Sequence, residues 1–386
     1  MNAQEMPLAR RVAEIRESVT MAFDKKAKDM KAAYPETIIL AAGEPDFAPP
    51  RAVIAATEEA VKTGKTKYTP VKGIAPLLKA IAKSIKESRG LDYLPDVQII
   101  VTNGGKEGIF LALAVIINPG DEVLMIDPHW TSYPEMVKLV GGKPHFVDYK
   151  DLGKISSILE NSKIKAIILN SPSNPSGMVI NPKQLEKLAL ALKDKKIWVI
   201  SDEIYSPIVY GNNKHVSIAQ FPGMQNKTVI IDGASKAFAM TGYRLGYALG
   251  SKEVIAAMAK FKSQISSCAC SISQYAALAA LEKSAEEVKK MKAAYENRLN
   301  NIILSFVKAA ELEYMEPQGA FYLFFKIPGR NADDLKFCED LLEKEKLGLV
   351  PGMAFGYPGW VRISFAASDE ELKEGLSRLK RFLQSR

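Results

Sequence analysis

The sequence is poor in the residues that build disulfide frameworks and metal sites. Its 386 residues include only three histidines and three cysteines, Cys268, Cys270 and Cys338. An odd, sparse set of cysteines suits a reducing compartment, and the C-x-C pair lacks the second pair that a zinc site requires. We therefore expect no structural disulfide and no bound metal ion.

Long apolar runs are also missing. Charged residues and Pro7 interrupt the first 20 residues, which therefore lack the apolar stretch of a signal peptide. No other run reaches the roughly 20 apolar residues that cross a bilayer. These features predict a cytoplasmic protein without a membrane partner.

Basic residues exceed acidic ones, and the formal net charge is +8. The lysines and arginines are scattered over predicted helices, which favours a solvated surface, although an electropositive cleft for anionic substrates is a second interpretation. Because the sequence has neither a basic stripe nor a recognisable binding module, we expect no nucleic-acid partner.

The pattern of apolar residues predicts two domains, as expected for a chain longer than a single core. Six apolar runs of strand length, rich in valine and isoleucine, lie at 97–101, 122–126, 164–169, 197–200, 228–231 and 243–249. Helical patterns lie between them, including 105–117 and 182–195, the latter with Asn181 as N-cap. This alternation predicts an α/β domain whose mostly parallel sheet is covered by helices.

The pattern changes after about residue 271. A long helical segment to about residue 310 is followed by predicted strands at 321–327 and 360–365 and by a final helix that begins near Ser368. This order predicts a smaller α+β domain.

Lys236 is the first candidate for chemistry. It follows the predicted strand 228–231 after a turn, and such a strand end faces the crevice where open α/β sheets bind ligands. A desolvated lysine amine forms Schiff bases with carbonyls. Ser235 and Arg244 could bind a phosphate nearby. Taken alone, Lys236 could equally be a lysine in a surface loop.

Asp202 ends another predicted strand, and Tyr205 follows three residues later. A carboxylate at this position can pair with a protonated pyridine nitrogen and make the ring an electron sink. The tyrosine can hydrogen-bond to a phenolic oxygen on the same ring. The alternative for Asp202 is a helix N-cap, the commoner role of an aspartate after a strand.

Three more strand ends carry candidate contacts. Prolines and a glycine fix a turn that positions the Asn174 side chain, although this segment could also be a plain turn without a functional role. Gly104 and Gly105 open a helix whose free N–H groups can hold a phosphate, although a Gly-Gly turn alone is weak support. Trp130 could stack on a flat ring or be an ordinary buried aromatic residue. As a set, these residues are difficult to explain by coincidence.

In order and spacing, these motifs resemble the class I/II aminotransferases, which are fold type I pyridoxal-phosphate enzymes. The resemblance is closest to the bacterial aspartate aminotransferases of subgroup Iβ and covers nearly the whole chain. Its markers are the segments 43–47, 67–69, 103–106, 174–177, 201–205, 235–238, 242–246, 319–322 and 361–364. It implies a seven-stranded, mostly parallel sheet in a large cofactor-binding domain, 49–285. It also implies a small α+β domain, 15–48 with 286–386, and an N-terminal arm, 1–14.

The resemblance implies that pyridoxal 5'-phosphate is held by Lys236 as a Schiff base and that the same lysine then transfers the substrate proton. Asp202 would keep the pyridine nitrogen protonated, and Tyr205 would contact the ring oxygen. The other implied cofactor contacts are Gly104, Gly105, Lys106, Trp130, Asn174, Ser235 and Arg244, with Tyr68 from the neighbouring subunit. Asn174 and Trp130 are also implied substrate contacts. A homodimer with shared active sites follows.

Arg362 matches the arginine that binds the substrate α-carboxylate in the resembled family, and Gly43 matches a backbone contact to the same group. From its residue type alone, Arg362 is a charge in a short strand, for which an anionic ligand is a fair inference. Lys106, Ser18 and Thr20 match positions that bind an acidic side chain. Ser18 or Thr20 could instead cap the following helix.

The sequence departs from the family pattern without losing a catalytic group. Ser176 replaces the usual threonine, Tyr243 replaces a common tryptophan, and Glu107 replaces a frequent glutamine. Glu107 adds a negative charge beside the expected phosphate loop.

The expected reaction transfers an amino group between amino acids and 2-oxo acids, with aspartate and 2-oxoglutarate favoured and prephenate as a further acceptor. An aminotransferase for aromatic or neutral substrates is an alternative on the same scaffold, as is a cysteine-conjugate β-lyase. A non-enzymatic pyridoxal-phosphate-binding regulator is a fourth alternative. Such regulators usually carry an added DNA-binding domain, for which the segment before Gly43 has no room.

Overall fold

The computed structural model describes residues 8–15, 17, 19–160, 163–329 and 332–385. Its α-helices are α1 Arg10–Ala13, α2 Val19–Ala33, α3 Arg51–Lys62, α4 Ala75–Arg89, α5 Pro95–Gln98, α6 Gly105–Ile116, α7 Ser132–Leu139, α8 Ile155–Glu160, α9 Pro182–Leu192, α10 Ala234–Ala237, α11 Lys252–Ile265, α12 Ser271–Lys283, α13 Ala285–Arg298, α14 Leu304–Ala309, α15 Asp334–Glu345 and α16 Asp369–Gln384. Its strands are β1 Ile38–Ile39, β2 Ile99–Thr102, β3 Glu122–Asp127, β4 Lys143–Asp148, β5 Ile164–Asn170, β6 Trp198–Asp202, β7 Thr228–Gly233, β8 Gly246–Leu249, β9 Tyr314–Met315, β10 Tyr322–Lys326, β11 Leu347–Gly348, β12 Val350–Pro351 and β13 Trp360–Ser364.

The large sheet has seven strands in the order β2-β8-β7-β6-β5-β3-β4. Neighbouring strands from β7 to β4 are parallel, and β8 runs antiparallel to both β7 and β2. The residues of β2, β5, β6, β7 and β8 are mostly buried, as expected for strands covered by helices on both faces. The predicted α/β domain is confirmed.

The strand β4 was missed in the sequence because its exposed residues do not form an apolar run. It lies at the sheet edge, where polar side chains limit pairing with other chains. Two predicted strands begin later than expected, since Pro95–Gln98 is a short helix and Thr241–Tyr243 is a 3-10 turn.

The small sheet is antiparallel, in the order β12-β13-β10-β9. The predicted long helix of this region is divided, because α12 ends and α13 begins on either side of Ser284. A hydrophobic core under β10 and β13 includes the buried residues Phe321, Phe325 and Phe365. The predicted smaller α+β region is therefore present.

The last helix shows how the sequence fixes this packing. Ser368 caps α16 by accepting a hydrogen bond from the Glu371 N–H, as the predicted helix start required. Leu372, Leu376 and Leu379 recur at helical spacing and are buried. Each buried leucine stabilises the fold by about 1.5–3 kcal/mol, so this face holds α16 on the hydrophobic core under β10 and β13.

The described helices include none that is both long and apolar enough to cross a membrane. Residues 1–7 of the predicted N-terminal arm lie outside the described part of the chain.

Candidate active site

A cavity of about 560 Å³ lies at the carboxyl edge of the large sheet, closed on another side by α2 and by Arg362 of β13. The parallel strands β3, β5, β6 and β7 all end at this edge, so the residues that follow them converge there. Most of the predicted site residues line the cavity: Thr20, Gly43, Gly105, Lys106, Trp130, Asn174, Asp202, Tyr205, Ser235, Lys236, Arg244 and Arg362.

Lys236 lies in the short helix α10 directly after β7, and its ammonium donates a hydrogen bond to the Gly43 carbonyl. Burial lowers the pKa of Lys236 to about 8. Burial is the largest cause of this shift, Glu44 opposes it, and the nearby cations Arg362 and Arg244 contribute to it. An amine with this pKa is a far better nucleophile near neutral pH than an exposed lysine.

Asp202 ends β6 as a buried carboxylate. Its Oδ2 accepts a hydrogen bond of 2.6 Å from the Tyr133 hydroxyl, and its Oδ1 accepts one of 3.3 Å from the Ile204 N–H. Burial raises the pKa of Asp202 to about 6, against the lowering effect of both hydrogen bonds. A carboxylate removed from water in this way is a strong partner for a cation such as a protonated ring nitrogen. The hydrogen bond to Ile204 caps a turn rather than an α-helix, so the N-cap alternative for Asp202 is only partly met.

Tyr205 and Asn174 line the same cavity as Asp202. The Tyr205 hydroxyl is 2.7 Å from the hydroxyl of Tyr322, and the Asn174 N–H is fixed by the Asn170 side chain at 2.8 Å. Both Tyr205 and Asn174 are buried. These polar groups can therefore make directed hydrogen bonds to a ligand oxygen.

The first turn of α6 and the loop after α10 together form an anion cradle. Gly104 is the N-cap of α6 with φ 79°, a value that favours glycine, and the N–H groups of the first turn have no partner within the helix. A Cβ at Gly104 would lie 2.7 Å from Nη2 of Arg244, so only glycine allows this guanidinium so close. Ser235, buried at the second position of α10, lines the same cavity.

Lys106 and Trp130 form one wall of the cavity. The Lys106 ammonium lies 4.9 Å from the centre of the Trp130 ring, within the range of a cation–π contact. Burial lowers the pKa of Lys106, and the neighbouring Arg244 adds to this effect. The Lys106 side chain remains exposed to the open cavity, where its ammonium is available to an anion.

Arg362 is a buried guanidinium that forms no salt bridge with any carboxylate of the described residues. It donates to the Asn174 Oδ1 at 2.8 Å and to the Ala41 carbonyl at 2.6 Å, and it lies 4.5 Å from the centre of the Tyr322 ring. Its Nε is buried and, among the described residues, has no hydrogen-bond partner. Burial lowers the pKa of Arg362. A buried cation left in this state is poised to bind an anionic ligand.

Three predicted site residues differ from the rest. Gly104 lies next to the cavity, beside the Arg244 guanidinium, rather than in its lining. Tyr68 is 93% exposed and lies outside the cavity of its own chain. Ser18 lies outside the described residues, whereas Thr20, the second residue of α2, lines the cavity.

Several lining or supporting residues were not predicted. Tyr133 contacts Asp202, Tyr322 contacts Tyr205, and Thr241 donates a 2.9 Å hydrogen bond to Glu44. Tyr133 lies three residues after Trp130, which is a weak signal for a shared site. The other pairs are distant in sequence, and only the folded chain brings them together.

Comparison with known proteins places this site in a family. The family model described as "Aminotransferase class I and II" matches residues 35–379. The aspartate aminotransferase of Bacillus subtilis is 42% identical over 98% of this chain and 99% of its own length. The aspartate aminotransferase of Thermus thermophilus, solved with maleate, has a TM-score of 0.93 at 37% identity and covers 98% of this chain and 100% of its own. The corresponding enzyme of Thermotoga maritima has a TM-score of 0.91 at 40% identity, with 98% and 100% covered.

The chain belongs to the class I and II aminotransferases, with the fold type I architecture, and it is an enzyme of the transferase class. Members of this family use pyridoxal 5'-phosphate, so the predicted cofactor is confirmed.

The residues present fit this cofactor. Arg244 and the first turn of α6 suit a phosphate, and Asp202 suits a pyridinium nitrogen. The amine of Lys236 suits an aldehyde, and the cavity volume is that of a small-molecule site.

Proposed function

We propose that this protein transfers the amino group of L-aspartate to 2-oxoglutarate, giving oxaloacetate and L-glutamate. The observation that carries this is the presence of two cations in the lining of one cavity, the buried Arg362 and the more exposed Lys106. Two separate cations suit a substrate with two carboxylates. The names of the similar proteins support the same substrate, as does the maleate, a dicarboxylate, in the Thermus structure.

In the proposed mechanism, the guanidinium of Arg362 binds the substrate α-carboxylate through its Nε, which has no partner among the described residues, and an adjacent terminal nitrogen, with Asn174 and Ala41 holding the group in place. The bound cofactor supplies an aldehyde that captures the amine and a ring that withdraws electrons from the bond to be broken. Lys236 Nζ would act as the base that takes the proton from the substrate Cα and then as the acid that returns a proton to the cofactor side of the new C=N bond. Hydrolysis of that bond by water would release the 2-oxo acid and leave the amino group on the cofactor. Orientation by Arg362 keeps the Cα–H bond within reach of Nζ.

Asp202 and Tyr205 serve the same step from the other side of the site. Asp202 holds a proton on the ring nitrogen, and its hydrogen bond from Tyr133 keeps the carboxylate oriented. Tyr205, supported by the Tyr322 hydroxyl, donates to the ring oxygen. Both groups are buried, so water does not compete for these contacts.

Lys106 is proposed to bind the distal carboxylate of the substrate. We expect Lys106→Ala to lower kcat/KM for aspartate by roughly 10–100-fold, since a charge-assisted hydrogen bond contributes about 1.5–3 kcal/mol. Activity with alanine or phenylalanine, which lack that carboxylate, should change far less. Steady-state kinetics with all three amino acids measures the difference, and equal losses for all of them would remove Lys106 from this role.

The assembly is proposed to be a homodimer in which Tyr68 of each subunit reaches the phosphate of the other. The support is that Tyr68 is almost fully exposed and lies away from the cavity of its own chain. A tyrosine exposed in this way is available to contact a second subunit through its ring and its hydroxyl.

A hybrid dimer tests this arrangement. We expect Tyr68→Ala and Lys236→Ala subunits, each weakly active alone, to regain activity when they are unfolded, mixed and refolded together. One of the two sites in a hybrid dimer then combines an intact Lys236 with an intact Tyr68. Refolding each variant separately is the control. Activity in the mixture no higher than the mean of the separate samples would contradict shared sites.

The proposed substrate is tested on the purified protein in two additions. Aspartate alone should convert the absorbance of the aldehyde form of the cofactor to that of the amino form, and 2-oxoglutarate should reverse the change. Conversion by phenylalanine but not by aspartate would instead support the aromatic alternative. Release of pyruvate and ammonia without a 2-oxo acid would support the β-lyase, and failure to convert any amino acid would support the regulator.

A second acceptor has specific support among the relatives. The bifunctional enzyme of Petunia hybrida, described as an aspartate and a glutamate/aspartate-prephenate aminotransferase, is 40% identical over 98% of this chain and 83% of its own length. We therefore keep prephenate as a further acceptor. The cytoplasmic location and the division into 1–14, 15–48 with 286–386, and 49–285 stay predictions.

A further inference from the structure

Glu107 occupies the third position of α6, within the turn that forms the anion cradle. Its carboxylate accepts hydrogen bonds from the backbone N–H of Asn103 at 2.6 Å and from the Asn103 side chain at 3.0 Å. Asn103 directly precedes Gly104, the N-cap of this helix. Glu107 thus fixes the backbone that leads into the cradle, in the manner of a capping box extended by one residue.

Lys262 of α11 supplies the opposite charge. Its side chain is fully buried, and its ammonium lies 2.8 Å from one Glu107 oxygen. Ser266 donates to the other Glu107 oxygen at 2.6 Å and accepts a 3.0 Å hydrogen bond from Lys262. Burial alone would raise the pKa of Glu107, but the Lys262, Ser266 and Asn103 hydrogen bonds bring it below its usual value. Glu107 is therefore ionised, and each charge of the pair satisfies the other.

The charge of Glu107 would be a liability without this partner. A helix N-terminus attracts one anion, and an unpaired carboxylate in its first turn would oppose the phosphate at that same end. The low effective dielectric of a half-buried site strengthens this repulsion. Lys262 cancels the charge from the side of α11, which packs directly against α6.

We propose that Glu107 and Lys262 act as one positioning pair for the cofactor phosphate. Glu107 fixes the backbone of the Asn103–Gly104 turn that leads into the anion cradle. Lys262 neutralises the charge of Glu107, so that this carboxylate does not repel an anion bound in the cradle. This inference rests on the cofactor of the family and is independent of the choice of aspartate as substrate.

Removing the positive charge of Lys262 should weaken cofactor binding more than removing the negative charge of Glu107, and this difference is the basis of the test. In Lys262→Gln, the Glu107 carboxylate stays charged beside the phosphate, so we expect the cofactor to dissociate 10–100-fold faster from the holoenzyme. In Glu107→Gln, the amide can still accept from Asn103 and the remaining cation favours the phosphate, so we expect less than a fivefold change. The double variant restores neutrality and should lie within about threefold of the unsubstituted protein.

The measurement is the rate of cofactor loss from the holoenzyme, followed by absorbance after removal of free cofactor. Lys262→Arg keeps the charge and should retain the cofactor, whereas the exposed Lys260→Gln of the same helix is the matched control and should change nothing. Thermal unfolding of each cofactor-free protein separates this effect from general destabilisation.

Two outcomes would contradict the proposed role of Glu107 and Lys262. Cofactor loss from Lys262→Gln at the unsubstituted rate would show that the cradle does not sense this charge. If the two single variants lost the cofactor equally fast, and the double variant showed the product of the two rate increases, Glu107 and Lys262 would have independent structural roles. If the unsubstituted protein bound no pyridoxal phosphate, both the proposed function and the proposed role of Glu107 and Lys262 would be wrong. If it bound the cofactor but did not act on aspartate, only the proposed substrate would be wrong, and the same cofactor-loss measurement would still test the two residues.

Discussion

Replacing Lys236 with alanine is expected to abolish transamination, with a fall in kcat of about 10⁴-fold or more. The variant loses both the amine that captures the cofactor and the base that moves the substrate proton, and the second role alone contributes about 10²–10⁴-fold. The cofactor should still bind, because Arg244 and the first turn of α6 hold the phosphate independently of Lys236. Rapid-mixing kinetics and the absorbance of the bound cofactor measure the two effects separately.

Lys236→Arg distinguishes the amine from its charge. Arginine keeps a cation near the Gly43 carbonyl but stays protonated at all accessible pH values, so it can neither capture a carbonyl nor accept a proton. We expect it to be as inactive as the alanine variant. Substantial turnover by either variant would exclude Lys236 as the proton carrier.

The pH dependence of cofactor capture follows from the same amine. Burial lowers the pKa of Lys236 from 10.5 to about 8, so this amine loses its proton at a lower pH than the amine of a free lysine does. At pH 7, about one-tenth of such an amine is neutral, against about 0.03% at the usual pKa. The rate at which the cofactor-free protein captures pyridoxal phosphate should therefore rise with pH up to about 8 and level off above it. A rise that continues towards pH 10 would mean that Lys236 has an ordinary pKa.

The part of this site that lies on the large sheet could be predicted from sequence. Apolar runs located the strands, and the carboxyl ends of parallel strands meet at one edge, so Lys236, Asp202 and Asn174 had to be neighbours. The rule requires only strand positions, which short-range patterns reveal well. It does not require knowledge of any side-chain contact.

Contacts between distant segments could not be predicted in this way. Tyr322 meets Tyr205 across 117 positions, and Lys262 meets Glu107 across 155. Lys262 has no local pattern that sets it apart from other helical lysines, so the sequence showed the added charge of Glu107 but not its compensation. Strand β4 was missed for a different reason, because an edge strand carries polar residues where a central strand carries apolar ones.

Arg362 lies in a predicted strand, but its place in the site depends on contacts between distant segments. Its residue type suggested only an anionic ligand, and the family resemblance was needed to place it in this site, since β13 belongs to an antiparallel sheet and the rule for parallel strand ends does not apply to it. Its position in the cavity depends on how the small sheet packs against the large one. The structure adds a physical argument for its proposed role, because the Nε of the buried guanidinium has no hydrogen-bond partner among the described residues.

Arg362→Lys should therefore impair every amino-acid substrate, because all of them carry an α-carboxylate. We expect kcat/KM to fall by roughly 10²–10³-fold, since the loss of one partner from a buried, hydrogen-bonded charge pair costs about 2–5 kcal/mol. A lysine ammonium is a single point charge and cannot form the two parallel hydrogen bonds of a guanidinium. It also cannot keep the contacts to Asn174 and Ala41 while binding a ligand.

Arg298→Lys is the matched control for this prediction. Arg298 is also buried against aromatic rings in the same part of the fold, but its guanidinium is already satisfied by Asp46 and Asp369. The control variant should lose stability to heat while keeping KM for aspartate nearly unchanged, whereas Arg362→Lys should show the opposite. If both variants lost stability and neither changed KM, Arg362 would be a structural residue like Arg298. The α-carboxylate would then need another partner in the cavity, because the unpaired Nε would no longer explain how the substrate is held.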